Sequence, residues 1–180
     1  MKRSALRLSI VVLLLSFLGL IATELTRGET SKTTLPTPPQ KATRVLVLKK
    51  EHKMQLLSGE TVIKTYTVAL GRGGLARKQR QGDHLTPEGL YEIDRRNKDS
   101  RFYRALHVSY PNELDRERAR KLGVSPGGDI MIHGITNGLG WLGSMHRIID
   151  WTDGCIAVTD AEMDEIWLLV PDGTPVEIRP

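Results

Sequence analysis

Residues able to carry covalent chemistry cluster between positions 131 and 159. His133 ends an apolar run, and Cys155 is the only cysteine among 180 residues. A free thiol is mostly protonated at neutral pH, so an adjacent imidazole that takes its proton raises the fraction able to attack a carbonyl group. We therefore interpret Cys155 as a nucleophile and His133 as its general base and acid, if the chain between them folds back. The alternative is structural: a small buried thiol and a hydrogen-bonded strand histidine.

Glycines flank both of these residues. Gly134 leaves the backbone open beside His133, where its carbonyl can accept the second ring proton and fix the tautomer. Gly154 permits a tight turn before Cys155, so that the backbone N–H groups of Gly154 and Cys155 can point at an oxyanion. One such donor is typically worth about 10² to 10³ in rate. We therefore expect Gly134 to orient the base, and Gly154 and Cys155 to form the oxyanion site.

The segment between His133 and Cys155 contains closely spaced glycines and two tryptophans, which predicts a flexible loop over the site. The tryptophans offer apolar surface to a peptide. The residues expected to bind substrate are Trp141, His146, Trp151, Thr152 and Asp153. His133 is preferred to His146 as the base because a strand holds a side chain more rigidly than a mobile loop does.

Other kinds of site fit the sequence poorly. The run from Gly138 to Gly143 matches the spacing of a dinucleotide fingerprint, but the chain lacks the alternating strands and helices of a Rossmann sheet. A zinc site made from His133, His146 and Cys155 would lack a fourth ligand. Thiol, imidazole and backbone donors suffice for acyl transfer, so no metal and no organic cofactor are expected.

Two motifs resemble those of the YkuD-type L,D-transpeptidases, which are bacterial cell-wall enzymes. One is His133-Gly134 followed, after a loop, by Thr152-Asp153-Gly154-Cys155-Ile156-Ala157. The other is Thr86-Pro87-Glu88-Gly89-Leu90-Tyr91, which is similar to the family's Thr-Pro-x-Gly-x-Tyr strand entry. The resemblance covers residues 43–180, and the run from Asp150 to Thr159 is similar to the YafK-like branch. Asp153 replaces the usual His, and Ala157 the usual Arg or Asn.

The resemblance implies acyl transfer on peptidoglycan stem peptides through a thioester on Cys155, with a dibasic third residue as the donor. The product would be a wall cross-link or an attached protein. Hydrolysis of the same linkages, which would trim the wall or detach a wall-linked lipoprotein, is the alternative because it uses the same nucleophile. In view of Asp153 and Ala157, a wall-binding module without catalysis is a further alternative.

Composition supports one globular domain with extensions and excludes some partners. Hydrophobic residues make up 39% of the chain and charged residues 26%, which is ordinary for a folded domain. Although the net charge is +5, aromatic residues are only 5% and no basic stripe is interleaved with them. Nucleic-acid binding is therefore not indicated. A single cysteine also excludes an internal disulfide.

Residues 1–23 have the features of a signal peptide or of an N-terminal membrane anchor. A basic start precedes an apolar run from Leu8 to Ala22, which as a helix would span about 22 Å, less than a hydrocarbon core of roughly 30 Å. That length favours a signal peptide, whereas the large Leu20 near the candidate cleavage site favours an anchor in the inner membrane. In both cases the domain is expected in the periplasm or cell envelope. Residues 24–42 read as a Pro/Thr-rich linker, and 43–180 as the catalytic domain.

The remaining chain predicts a mostly-β domain, a sandwich or barrel with two short α-helices, as the resemblance also implies. Apolar and β-branched runs predict strands at 45–48, 61–70, 90–93, 105–110, 129–133 and 175–178. The charged segment 94–101 is interpreted as a solvated turn. Asn112 can cap a helix that ends at Gly123, and Thr159 with Glu162 forms a capping box for a second helix just after Cys155.

Overall fold

The computed structural model describes residues 40–180. The expected signal peptide or anchor, and nearly all of the expected linker, lie outside the described residues. Among residues 40–180, no helix combines the length and the apolar character that crossing a membrane requires.

The described chain is mostly β-structure, as expected, with two α-helices and one 3₁₀ segment. The strands are β1 (Arg44–Leu48), β2 (Lys53–Ser58), β3 (Thr61–Thr67), β4 (Gly89–Ser100), β5 (Tyr103–Val108), β6 (Met131–His133), β7 (Ile156–Ala157) and β8 (Pro175–Arg179). The α-helices are α1 (Glu113–Leu122) and α2 (Asp160–Leu169), and the 3₁₀ segment spans Gly140–Arg147.

All eight strands belong to one sheet in the order β3-β2-β1-β8-β4-β5-β6-β7. The long strand β4 pairs with β8 through its first residues and with β5 through its later ones. The two edges of the sheet meet, because Ala69, just after β3, and Ala157 of β7 exchange backbone hydrogen bonds of 3.0 and 2.8 Å. The sheet is therefore closed like a barrel, and β7, the strand after Cys155, lies at the closure.

Both α-helices begin where the sequence predicts. The side chain of Asn112 accepts from the Asp115 N–H at the start of α1, and Gly123 ends that helix in the left-handed conformation. Thr159 and Glu162 form the expected capping box of α2. The buried side of α2 contributes Met163, Ile166 and Leu169 to the core. Because α2 packs on the core directly after β7, it fixes the direction in which the chain leaves the Cys155 turn.

Three segments differ from the sequence-based expectation. Strand β2 was not predicted, and it pairs with both β1 and β3. The charged segment 94–101 was predicted as a turn, but most of it continues β4, since it pairs with β5 through backbone groups while most of its side chains are exposed. The predicted flexible loop contains the 3₁₀ segment Gly140–Arg147, which is interrupted at Gly143 by non-helical backbone angles.

Candidate active site

Strand pairing brings Cys155 and His133 to the same face of the sheet. Strands β6 and β7 run parallel, with Ile132 opposite Ile156 and His133 opposite Ala157. Since side chains alternate along extended chain, Cys155 shares a face with Ala157 and therefore with His133. Both residues line one cavity of about 590 Å³. The fold-back of the intervening chain that the nucleophile–base pair requires is thus present.

His133 is held in one orientation by three neighbours. Only 2% of its surface is exposed, and its ring stacks on Phe102, with centroids 4.5 Å apart. Its Nδ1 lies 2.6 Å from the carbonyl oxygen of Gly134, and because a carbonyl can only accept, Nδ1 carries the proton. The edge of Trp151 closes another side at 5.7 Å between centroids. In the neutral ring, Nε2 is therefore left as a proton acceptor.

Burial decides the charge of His133. It lowers the pKa of the ring to about 4, and the nearby Arg101 guanidinium and His146 act in the same direction, against the hydrogen bond to Gly134. Burial likewise raises the pKa of the Cys155 thiol, and the carboxylates of Asp153 and Asp129 raise it further. At neutral pH the resting pair is therefore a thiol and a neutral imidazole. A thiol and a neutral imidazole can act as nucleophile and base only if the proton is transferred while the sulfur attacks.

The turn before Cys155 is built from backbone contacts that only glycine allows. Gly154 has φ +123°, and a Cβ there would lie 2.7 Å from the carbonyl oxygen of Leu85. Its N–H donates to Thr152 Oγ1 at 3.2 Å, and the Thr152 hydroxyl donates to the Cys155 carbonyl at 2.8 Å. Within residues 40–180 the Cys155 N–H has no acceptor. Of the two backbone donors expected to bind an oxyanion, Gly154 is thus engaged inside the turn and Cys155 is available.

The Thr-Pro-x-Gly motif supports this turn from behind. Thr86 Oγ1 accepts from the Gly71 N–H at 3.0 Å, and a Cβ on Gly71 would lie 3.1 Å from the Cα of Gly154. The fully buried Lys49 donates to the Thr86 carbonyl and pairs with Glu88, both at 2.9 Å. The motif therefore holds the 71–88 segment against the Cys155 turn, which gives its resemblance to the family a physical reason.

Asp153, which stands where the family usually has His, is exposed at the mouth of the cavity. Its Oδ1 lies 2.9 Å from Arg72 Nη2 and 2.8 Å from His84 Nδ1. The contact with His84 is not a hydrogen bond, since His84 Nδ1 has no hydrogen-bond partner within residues 40–180. The carboxylate is thus drawn towards basic side chains of the 71–88 segment.

The residues expected to bind substrate are divided by the structure. Trp151, Thr152 and Asp153 line the cavity of Cys155 and His133. His146 lines a second cavity, of about 270 Å³, which shares Trp151 with the first. Trp141 is 73% exposed and lines neither. Thr152 is buried, and its hydroxyl is occupied by the turn, so it serves to shape the site as well as to line it.

Sequence reasoning missed the part of the site that comes from the β4–β5 hairpin. Asn97, Ser100, Arg101 and Phe102 line the cavity of Cys155 and His133, and Arg101 lies 4.7 Å from the centroid of the Phe102 ring. The one available signal was an aromatic residue in an otherwise charged segment. Arg72 and Asp129 were also missed; Asp129 lies in left-handed backbone and its carbonyl oxygen is 3.6 Å from Cys155 Sγ.

Within the part of the chain that the structure describes, no three His, Cys, Asp or Glu side chains are grouped as metal ligands.

Comparison with known proteins agrees with this architecture. The YkuD family of L,D-transpeptidase catalytic domains matches residues 42–178. YafK of Escherichia coli strain K12, assigned by name to the L,D-transpeptidases, is 29% identical over 177 residues, which cover 94% of this chain and 64% of YafK. The chain thus spans slightly less than two thirds of that relative.

Two solved structures show the same fold at low identity. The helical cell shape determining protein Pgp2 from Campylobacter jejuni superposes with a TM-score of 0.59 at 22% identity, over 78% of this chain and 48% of Pgp2. The Enterococcus faecium L,D-transpeptidase C442S mutant gives 0.52 at 15% identity, over 82% of this chain and 53% of that chain. With the family match covering most of its length, this chain belongs to the YkuD family of L,D-transpeptidase catalytic domains.

Proposed function

We propose that this protein transfers acyl groups on the peptide stems of peptidoglycan, with Cys155 as the nucleophile and His133 as the general base and acid. The observation that carries the proposal is the hydrogen bond from His133 Nδ1 to the Gly134 carbonyl at 2.6 Å. It leaves Nε2 as an acceptor on a ring that lines the same cavity as Cys155. Family membership supports the reaction class.

The reaction begins with proton transfer as the carbon–sulfur bond forms. His133 Nε2 takes the thiol proton while the sulfur attacks the stem carbonyl, and the Cys155 N–H donates to the oxyanion. Collapse of the tetrahedral intermediate breaks the carbon–nitrogen bond, and His133 returns the proton to the leaving amine. An incoming amine then attacks the thioester and gives its proton to His133. As the carbon–sulfur bond breaks, His133 passes that proton to the sulfur and the thiol is restored.

The lining of the cavity suits a substrate that carries both signs of charge. Arg72 and Arg101 offer guanidinium groups, and Asp129 and Asp153 offer carboxylates. Peptide stems with a dibasic third residue, which the family resemblance implies, present both amino and carboxylate groups. Pgp2 is titled a cell shape determining protein, and a role of this chain in cell-wall biogenesis and shape, in the periplasm or cell envelope, is part of the proposal.

Hydrolysis of the same thioester is the second candidate. Cys155 is partly exposed and the cavity that it lines is open to solvent, so water can reach the acyl group. The resemblance of the run from Asp150 to Thr159 to the YafK-like branch also supports this candidate, since that resemblance implies that a hydrolytic role occurs in the branch. The protein would then trim the wall or detach a linked lipoprotein.

Incubation of the full-length protein with muropeptides, followed by mass spectrometry, tests both candidates. We expect an acyl adduct on Cys155, and then cross-linked product for transfer or loss of a linkage for hydrolysis. Cys155→Ser is expected to yield neither product. Binding of muropeptides without any adduct or product, in a protein that folds normally, would contradict both and support a non-catalytic wall-binding module.

A further inference from the structure

Two arginines line the cavity of Cys155 and His133, and they differ in what they contact. Arg72 Nη2 lies 2.9 Å from the Asp153 carboxylate, so the charge of Arg72 is already paired. Arg101 is exposed, and within residues 40–180 its guanidinium has neither a carboxylate partner nor a hydrogen-bond acceptor. The positive charge that remains available to a ligand of this cavity is therefore that of Arg101.

The guanidinium of Arg101 is held over an aromatic ring. Its Cζ lies 4.7 Å from the centroid of Phe102, and the same ring stacks on His133 with 4.5 Å between centroids. A guanidinium that rests on the face of a ring still presents N–H groups at its edge, where they can donate to both oxygens of a carboxylate. The available cation therefore lies one aromatic ring away from the proposed base.

The backbone that carries Arg101 is fixed by Asn137, in the segment after β6. Asn137 Oδ1 accepts from the Tyr103 N–H at 2.9 Å, and its Nδ2 donates to the Ser100 carbonyl at 3.1 Å. The Asn137 N–H donates to the carbonyl of Arg101 itself at 2.9 Å. Because the tip of the β4–β5 hairpin is already ordered by these bonds, a ligand of Arg101 loses little binding energy to the ordering of this backbone.

We propose that Arg101 binds a free carboxylate of the stem peptide, so that the protein prefers stems in which this carboxylate is not amidated. A dibasic third residue of the diamino-diacid type carries such a group at the end of its side chain, within the residue whose carbonyl reacts at Cys155. This inference rests on the proposed function and deepens it, because it names one group of the substrate and the side chain that receives it.

A binding experiment tests this contact without any chemistry. The full-length Cys155→Ser protein is titrated by calorimetry with a stem tetrapeptide whose third residue is a diamino diacid, and with forms in which each free carboxylate is amidated in turn. We expect one of these amidations to weaken binding about tenfold, the size of one hydrogen-bonded charge pair, and that form identifies the carboxylate. In Cys155→Ser/Arg101→Gln this form and the free acid should bind equally. Equal affinity of all forms for Cys155→Ser, or a tenfold loss that persists in the double variant, would overturn the proposal.

Two other cations supply matched controls. Lys98→Gln removes a positive charge from the same hairpin, at a side chain that is 80% exposed and does not line the cavity. Arg72→Gln removes the arginine of the same cavity that Asp153 already pairs. Both should leave the effect of amidation intact. Its loss in Lys98→Gln would assign it to general charge attraction, and its loss in Arg72→Gln but not in Arg101→Gln would assign the carboxylate to Arg72; either result contradicts the proposal.

Turnover separates this inference from the proposed function. The kcat/KM for the free stem, divided by that for the amidated stem, should be about ten in the wild type and about one in Arg101→Gln. A general loss of structure in Arg101→Gln would lower both values and leave their ratio unchanged, which would contradict the proposal. Turnover without any carboxylate preference overturns the inference and leaves the function standing. A carboxylate preference in binding, with no adduct or product on any stem, does the opposite.

Discussion

The β6 end and the 3₁₀ segment each place a histidine against Trp151, and the two rings have opposite hydrogen-bond polarity. The ring centroids lie 5.7 Å (His133) and 6.2 Å (His146) from that of the indole. His133 Nδ1 donates to a carbonyl, whereas His146 Nδ1 accepts from an indole N–H. The first ring therefore has a free acceptor at Nε2, and the second a free donor. Both rings are buried, so the partner at Nδ1, and not burial, decides which of them can act as a base.

The largest effect that this comparison predicts concerns catalysis. His133→Ala should lower kcat/KM for stem substrates by about 10² to 10⁴-fold, the usual contribution of a general base, because no other group would accept the Cys155 proton. His146→Ala should lower it only a few-fold, through the loss of support for Trp151. Both are measured by formation of the Cys155 acyl adduct in rapid-quench mass spectrometry.

A reversed order of these two effects would break the comparison. The base would then be His146, and His133 would be a structural residue at the end of a strand. Circular dichroism of both variants is the control, since each removes a buried ring.

The second effect is on stability against acid. The pKa of His133 is lowered to about 4 by burial, whereas an unfolded histidine titrates near 6.5. Between these values the unfolded chain binds a proton that the folded chain does not, so the free energy of unfolding falls as the pH decreases through this window. The titration of His133 should therefore lower the free energy of unfolding by about 3 kcal/mol between pH 7 and pH 4.

Urea unfolding at a series of pH values, for the wild type and His133→Asn, measures this contribution. The Asn variant is less stable throughout but should lose less stability on acidification. Parallel profiles for the two proteins would show that His133 is not buried in its neutral form. The pKa of His146 is also lowered by burial, so some pH dependence should remain in the variant.

The smallest predicted effect concerns Trp151, which lies against the rings of both His133 and His146. Trp151→Phe removes the N–H that fixes the His146 tautomer, and the loss of one such hydrogen bond should cost about 1 kcal/mol of unfolding free energy. Turnover should fall only a few-fold, because the tautomer of His133 is set by Gly134. Thermal unfolding and the steady-state kinetics of the variant are the measurements.

Trp141→Phe is the natural control, because Trp141 is exposed and lines neither cavity. It should change neither stability nor turnover. A larger kinetic loss in Trp141→Phe than in Trp151→Phe would favour the sequence-based expectation that Trp141 contacts substrate.

The sequence predicts those elements whose signals are local. The side chains of Asn112 and Thr159 satisfy backbone groups a few residues away, so both helix starts were predictable. The later half of β4 was not, because most of its side chains are exposed and it is its backbone pairing with β5 that makes it a strand. The 3₁₀ segment was not predicted, because it contains glycines, which are typical of loops.

The same distinction applies to the candidate site. His133, Gly134, Gly154 and Cys155 could be named from their types and order along the chain. Phe102 and Arg72 reach the cavity through the β4–β5 hairpin and the 71–88 segment, so their positions depend on contacts between segments that are distant in sequence. The opposite hydrogen-bond polarity of the His133 and His146 rings was also not predictable from the sequence, since it depends on one contact at each Nδ1.

The closure of the sheet between Ala69 and Ala157 has a consequence for the order of assembly. Ala157 lies two residues after Cys155, and its partner comes from a distant part of the chain. Because contacts between distant segments are costly to form early in folding, the cysteine reaches its final position only when the two edges of the sheet have joined. Under the proposed function, activity should therefore appear only when folding is complete, and the amide hydrogens of Ala69 and Ala157 should become protected from exchange at the same time.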